Sequence, residues 1–333
     1  MSCQFIERNR RFCPRPPWAF LFVLSCCASP LEKPMNSTVS RTGAMLIVFA
    51  VACLSLHDAL ARQMVQGLPV VVVIWVRYLG QSVVMAGAAI SKGNSAAWKC
   101  RRPGLHLLRA FFLVALSICF IAGLRFVPLA EATALNFLAP LFVLVLSKVL
   151  FGEAVRLSQW IAVLVGLIGV ALVVNPAGEL FTWAALLPCA AAFFLSCYQL
   201  ATRAAANKDT PQSATLWLGL FACALCSALL PWFWQAPTAL QWLGLSGMAL
   251  VGTTAHWLFA AAYSRASPAR LAPFTYVQIP CSALLGYLMY SSFPGALAWW
   301  GILLILLSGL MVILPSLLRP ARGGEQDSLG ELR

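Results

Sequence analysis

Charge is what this sequence has least of. Asp, Glu, Lys and Arg make up 10% of its 333 residues, against roughly 25% in ordinary soluble proteins. Only 10 residues are acidic and 3 are histidine. That shortage removes whole classes of chemistry. There is no D-D-x-x-D pair of acids to hold a metal–diphosphate, no H-E-x-x-H run for zinc and no glycine-rich phosphate loop. No stretch is large enough for an extramembrane catalytic or ATP-binding domain. A net charge of +13 would suggest nucleic acid in a soluble chain, but here the basic residues lie between apolar runs. The 12 cysteines fall mostly within those runs, so they form no disulfide framework. Cys223 and Cys226 lack a second ligand pair and read as small buried hydrophobes. The sequence thus leads us to expect no catalytic residue, no metal and no cofactor.

Apolar sequence is what remains. Hydrophobic residues make up 61% of the chain and mean hydropathy is +0.84. Runs of about 20 residues, each able to cross about 30 Å of hydrocarbon, recur along it. Ten candidate spans lie near 44–63, 69–90, 106–124, 128–150, 157–175, 180–200, 213–232, 240–262, 271–291 and 296–317. Short connections carry breakers, such as "QGLP", "RFVP", "NPAGE" and "SFPG". With the amino terminus inside, 19 of the 23 basic residues fall on the inner side. This is the positive-inside signature, and it puts both termini in the cytoplasm. Trp183, Trp232, Trp234, Trp242, Trp299 and Trp300 cluster near expected outer ends, as an aromatic belt would.

Residues 1–42 stand outside this scheme. "PWAFLFVLSCCASP" has an apolar core of about 11 residues, too short to span. The expectation is a cytoplasmic extension that is disordered or lies upstream of a start at Met35. An interfacial helix or a signal peptide are the alternatives. Residues 319–333 read as a cytoplasmic tail.

The chain contains a repeat. A shift of 140 residues pairs Arg125 with Arg265, Pro128 with Pro268, Pro140 with Pro280, Trp160 with Trp300 and Gly169 with Gly309. A shift of 141 brings "SLHDALAR" onto "SCYQLATR", so His57 and Asp58 stand opposite Tyr198 and Gln199. Each copy, 43–175 and 180–318, holds five spans. Five is odd, so the second copy runs upside down relative to the first. Inverted repeats of this kind place a substrate near the midplane and alternate its access. The fold expected is all-α integral membrane, ten transmembrane helices in a five-plus-five inverted-topology repeat.

The pattern "P-x9-L-F-G-E-x6-W-x5-G-x2-G-V", Pro140 to Val170, resembles the EamA-type drug/metabolite transporter superfamily over about 43–318. The resemblance implies a central cavity between the two copies. It also implies secondary transport, often outward, of a small polar metabolite such as an amino acid, a nucleoside, a sugar derivative or a sulfonium compound. The second copy departs from the pattern, with "MYSSFP" in place of "LFGE" and Phe293 opposite Glu153. Glu153 therefore reads as a helix-end residue near Lys148 and Arg156. The location expected is a bacterial inner membrane. The partners expected are a small-molecule substrate, the lipid bilayer and a coupling proton, with oligomeric state left open. The rival reading, a polytopic membrane enzyme acting on a lipid or prenyl substrate, would need paired acids, and the spans hold only Asp58 and, near an outer end, Glu131.

Ionisable residues within spans are costly and mark functional sites by default. Asp58 and Arg77 lie at similar depth on successive antiparallel spans and are expected to meet. They form either a structural ion pair or one whose partners exchange with substrate or proton; otherwise Asp58 faces the outer water. His57 lies about 100° round the helix from Asp58, so the two are expected to point apart. It either bonds a neighbouring helix or relays a proton. His256 reads as a helix-contact histidine. Tyr198, Gln199, Asn136, its repeat partner Tyr276, and Gln278 are candidates for a polar ring around the cavity. Interhelical hydrogen bonding explains them equally well. His106 and Arg109 are expected to snorkel to the inner interface.

Overall fold

The structure, a computed structural model, describes residues 41–91, 93–152, 157–174, 183–205, 209–263, 265, 271 and 274–318. The expectations for 1–40 and 319–333, for Glu153 beside Arg156, and for Pro268 lie outside these residues. All described secondary structure is helical. The helices are α1 (Arg41–Val65), α2 (Val70–Ser91), α3 (Pro103–Gly123), α4 (Leu129–Asn136), α5 (Ala139–Phe151) and α6 (Leu157–Val174). There follow α7 (Leu186–Ala205), α8 (Pro211–Phe233), α9 (Ala239–Tyr263), α10 (Gln278–Tyr290) and α11 (Ala296–Leu318).

Among the described residues, eight helical segments are long and apolar enough to cross a membrane, α4 and α5 counting together as Leu129–Leu150. Ala296–Val312 is a shorter apolar helix. These fall on the first eight expected spans and the tenth. The expected ninth, 271–291, is represented by α10. Helices are what such a sequence must form, because in hydrocarbon each backbone polar group has to be satisfied within its own segment. Trp183, Trp232, Trp234, Trp242 and Trp300 are exposed on the bundle surface.

Successive helices are not the principal neighbours. α1 packs on α9, α3 on α7, α2 on α8 and α6 on α11, while α4 meets α10. Exchanging the first five helical segments for the last five converts the α1–α9 pair into α7–α3 and leaves the other pairings in place. One apolar core, including Tyr78, Leu124, Leu245 and Met248, joins α1, α2, α3, α8 and α9. A second, including Leu135, Leu141, Ile279 and Ile305, joins α4 to α7 with α10 and α11.

The expected span 128–150 is interrupted by a two-residue tight turn, Phe137 and Leu138, between α4 and α5. Pro140 has no N–H for the Asn136 carbonyl and its ring crowds that carbonyl. The amides of Phe137 and Leu138 turn back three residues, to Ala134 O at 3.0 Å and Leu135 O at 3.1 Å. The second copy does the same before Pro280. Val277 N donates to Phe274 O at 3.3 Å, and α10 restarts at Gln278.

Candidate functional site

A cavity of about 1070 Å³ lies inside the bundle. His57, Asp58, Arg77, Asn136, Tyr198, Gln199, His256, Tyr276 and Gln278 all line it. The nine residues singled out from the sequence thus come together at one place, though two of their expected relations do not hold.

The first concerns Asp58 and Arg77. Each lies seven residues from the linked ends of α1 and α2, about 10 Å deep at 1.5 Å per residue. They nevertheless form no ion pair among the described residues. The reason is packing: α1 and α2 scarcely touch, and α9 packs against both. Arg77 instead meets α9, its Nη2 donating to His256 Nε2 at 3.3 Å, while Nη1 donates to Ser117 Oγ at 3.3 Å. A guanidinium is always a donor, so His256 Nε2 carries the lone pair and this histidine is a helix-contact residue.

The second concerns His57 and Asp58, which do not point apart. His57 Nδ1 lies 3.0 Å from Asp58 Oδ1. The offset between neighbours on a helix is bridged because the imidazole and carboxylate lean towards each other. Gln278 Nε2 donates to the other carboxylate oxygen, Oδ2, at 3.3 Å. Asp58 is only 6% exposed, yet it pairs with no arginine among the described residues. The His57 ring packs against α9 where Gly252 leaves room. A Cβ there would stand 2.7 Å from His57 Cδ2.

The helix breaks border the cavity too. Asn136 ends α4 and Ala139 and Pro140 begin α5, all in the lining. Opposite, Phe137 and Tyr276 stack at a tilt with ring centres 5.1 Å apart. Asn136 Oδ1, Tyr276 Oη, Arg77 Nε and His57 Nε2 are buried without a hydrogen-bond partner among the described residues. Buried polar atoms in folded proteins are seldom left so. All four belong to residues that line the cavity.

Several lining residues carried no clear mark in the sequence. Gln81, Gln212 and Asn94 add amides, and Phe120, Trp257, Phe259 and Tyr263 add rings. His106 and Arg109 do not snorkel. They are 1% and 5% exposed, and Arg109 lines the cavity. Its position within a span was the usable signal.

The lining is lopsided along the bundle. It runs from Asp58, Arg77 and His256, midway along their helices, to Asn94, Gln212 and Tyr263 at one end. Asn94 Nδ2 donates to Gln212 Oε1 at that end. Near the other end the segments are tied to one another. Arg125 donates from Nε to Val65 O and from Nη2 to Leu68 O, each at 2.8 Å. Tyr290 Oη donates to Ala59 O at 2.5 Å, and the Arg62 guanidinium sits 4.6 Å over the Tyr290 ring.

Comparison with known proteins follows the same architecture. The family model described as the EamA-like transporter family matches residues 41–175 and again 182–314. A riboflavin transporter of Vibrio cholerae is 30% identical over 244 residues, covering 73% of this chain and 82% of its own length. An S-adenosylmethionine uptake transporter of Rickettsia bellii is 24% identical over 264 residues, covering 78% and 89%. One solved crystal structure superposes with a TM-score of 0.57 at 21% identity, covering 83% of this chain and 98% of its own. That last likeness concerns the fold alone.

Proposed function

The chain belongs to the EamA-like transporter family, and on that premise we propose that it carries a flat nitrogen heterocycle with an oxygen-rich tail through the central cavity. It is a membrane transporter of small molecules and not an enzyme. The cargo class rests on one observation: a cavity of about 1070 Å³ whose wall combines aromatic rings with unpartnered polar atoms. Such a space exceeds the 300–1,000 Å³ of a typical small-molecule pocket. Rings such as Phe120, Phe137, Tyr198 and Trp257 suit a flat cargo, and amides such as Gln81, Gln199 and Gln278 suit its hydrogen-bonding edges. Riboflavin and S-adenosylmethionine, the compounds named for the relatives, share this plan. An amino acid, one of the cargoes expected from the sequence, would leave most of the space empty.

The mechanism is alternating access in a ten-span, five-plus-five inverted repeat. Its support is the exchange of helix pairs between the halves, with both copies breaking a helix ahead of a proline beside the cavity. The excess of basic residues at the Asn94 and Gln212 end makes that end cytoplasmic. The conformation seen here is then inward-facing, with Arg125 and Tyr290 closing the outer end. Both termini lie inside, in a bacterial inner membrane. Asp58, the one carboxylate in the described lining, is the residue through which a coupling proton acts. Inward movement is the direction we assign, in place of the export expected from the sequence.

The test is uptake of labelled riboflavin and of labelled S-adenosylmethionine into cells making the wild type or Asp58→Asn, at external pH 6 and 8. Accumulation of one compound by the wild type alone, with its pH dependence lost in Asp58→Asn, is the expected outcome. Equal accumulation with empty vector would refute the cargo class.

A further inference from the structure

Arg109 stands seventh in α3 and has no place in the reading of Asp58 and its neighbours. Its Nε donates to Thr202 Oγ1 at 3.1 Å and its Nη1 to His106 Nδ1 at 3.0 Å. The guanidinium lies 5.7 Å over the Tyr198 ring. Since arginine only donates, His106 Nδ1 must be the bare nitrogen and Nε2 must hold the proton. That proton points to Asp209 Oδ2 at 3.0 Å. The remaining carboxylate oxygen accepts the Arg101 amide at 2.9 Å. One chain of bonds therefore runs from the loop between α2 and α3, through Asp209 and His106, to a cation in the cavity wall. Each link fixes the tautomer of the next.

No carboxylate touches Arg109 among the described residues. Asp209 compensates it at one remove, across the imidazole. This arrangement differs from a direct ion pair in one respect: it holds the guanidinium in place without using up its charge. Among the described residues Nη2 makes no hydrogen bond and is the donor left for a cargo. Asp58 sits on α1 and Arg109 on α3, both in the lining, so the cavity carries a cation and an acid on different walls and orients an asymmetric cargo.

We propose that Arg109 is a specificity-determining residue that receives the acceptor oxygens of the cargo's tail, and that Asp209, through His106, is its positioning residue. The proposal rests on the cavity being the cargo site. A different use of the same atoms is a metal site. Cys100 Sγ, a ring nitrogen of His106 and a carboxylate oxygen of Asp209 lie within 4.8 Å of one another. Coordination at His106 Nε2 would displace its proton and break the bond to Arg109, with Arg101 close by. The chemistry of the cluster opposes a cation there.

Two measurements on the purified full chain decide the matter. ¹⁵N NMR of the histidines, with His106→Gln for assignment, is expected to show His106 neutral and protonated at Nε2, unchanged by added zinc. Protonation at Nδ1, or a zinc-dependent shift, would overturn the positioning role. The second is a double-mutant cycle on riboflavin transport in proteoliposomes. Asp209→Asn is expected to raise the half-saturating concentration roughly tenfold and Arg109→Gln roughly thirtyfold, as loss of a charge-assisted bond would, with little change in maximal rate. The double variant should match Arg109→Gln alone, and Arg109→Lys should recover part of the loss. Additive effects, or a fall in maximal rate only, would overturn the proposal. Wild type that moves neither riboflavin nor S-adenosylmethionine would refute the cargo reading and Arg109's part in it, while the NMR result still decides the Asp209–His106–Arg109 relay.

Discussion

At the scale of single residues, much of the site was readable because a polar group within an apolar run is expensive. His57, Asp58, Arg77 and Asn136 stand out for that reason alone, and all four line the cavity. Which of them touch was not readable, since contact depends on the rotation of helices that are distant in sequence. The Gly252 contact makes a sharp test. Gly252→Ala places a methyl within 2.7 Å of the His57 ring, and overpacking of this kind costs about 1–3 kcal/mol. We expect a lower melting temperature, restored by His57→Ala, which removes the ring that the new methyl meets. Unchanged melting of Gly252→Ala would show the ring free to move aside. Asp209 supplies the pH prediction. Burial pushes its carboxyl up, but the Arg101 amide, the bond from His106 and the nearby Arg101 charge outweigh this and hold it below its ordinary 3.8. A carboxyl lowered in the folded state stabilises fully above its unfolded value and loses that contribution as pH falls through the folded one. Melting of the wild type relative to Asp209→Asn should therefore differ by a constant amount from pH 5 to 8 and converge below about pH 4.

At the scale of elements, the prolines decide more than their number suggests. Pro140 and Pro280 were visible as a repeated pair. The structure shows a tight turn ahead of each, whose amides go to carbonyls three residues back. Replacing Pro140 with Ala restores an N–H for the Asn136 carbonyl. We expect Pro140→Ala to melt higher and transport more slowly. A variant that transports at the wild-type rate would show the break to be incidental. The ends of the same two spans differ. α5 stops at Gly152 with φ 66°, whereas α10 stops at Ser291 with φ 50°. Serine bears a Cβ in this left-handed region and glycine does not. Ser291→Gly should stabilise the protein by up to about 1 kcal/mol, seen as a small rise in melting temperature.

At the scale of the whole molecule, the cavity lining reaches the Asn94 and Gln212 end of the bundle, while Arg125 and Tyr290 tie the helices together near the other. A cysteine replacing Thr215, in the lining near the open end, should react with a membrane-impermeant thiol reagent faster in inside-out than in right-side-out vesicles, and riboflavin should protect it. Equal rates from both sides would contradict the inward-facing assignment. The sequence by itself determined that this chain lives in a bilayer, where its spans lie, and that one half repeats the other, because hydrophobic length, prolines and the positions of charges are local quantities. It also determined which polar residues had to be accounted for. Only the tertiary structure decided their partners. It placed α9 against both α1 and α2, so that Arg77 meets His256 instead of Asp58. It also drew Asp209, an ordinary-looking loop acid, into contact with His106 more than a hundred residues away. Composition and spacing hold no record of such meetings, because side-chain contact between helices is set by how all the apolar helix surfaces pack together at once.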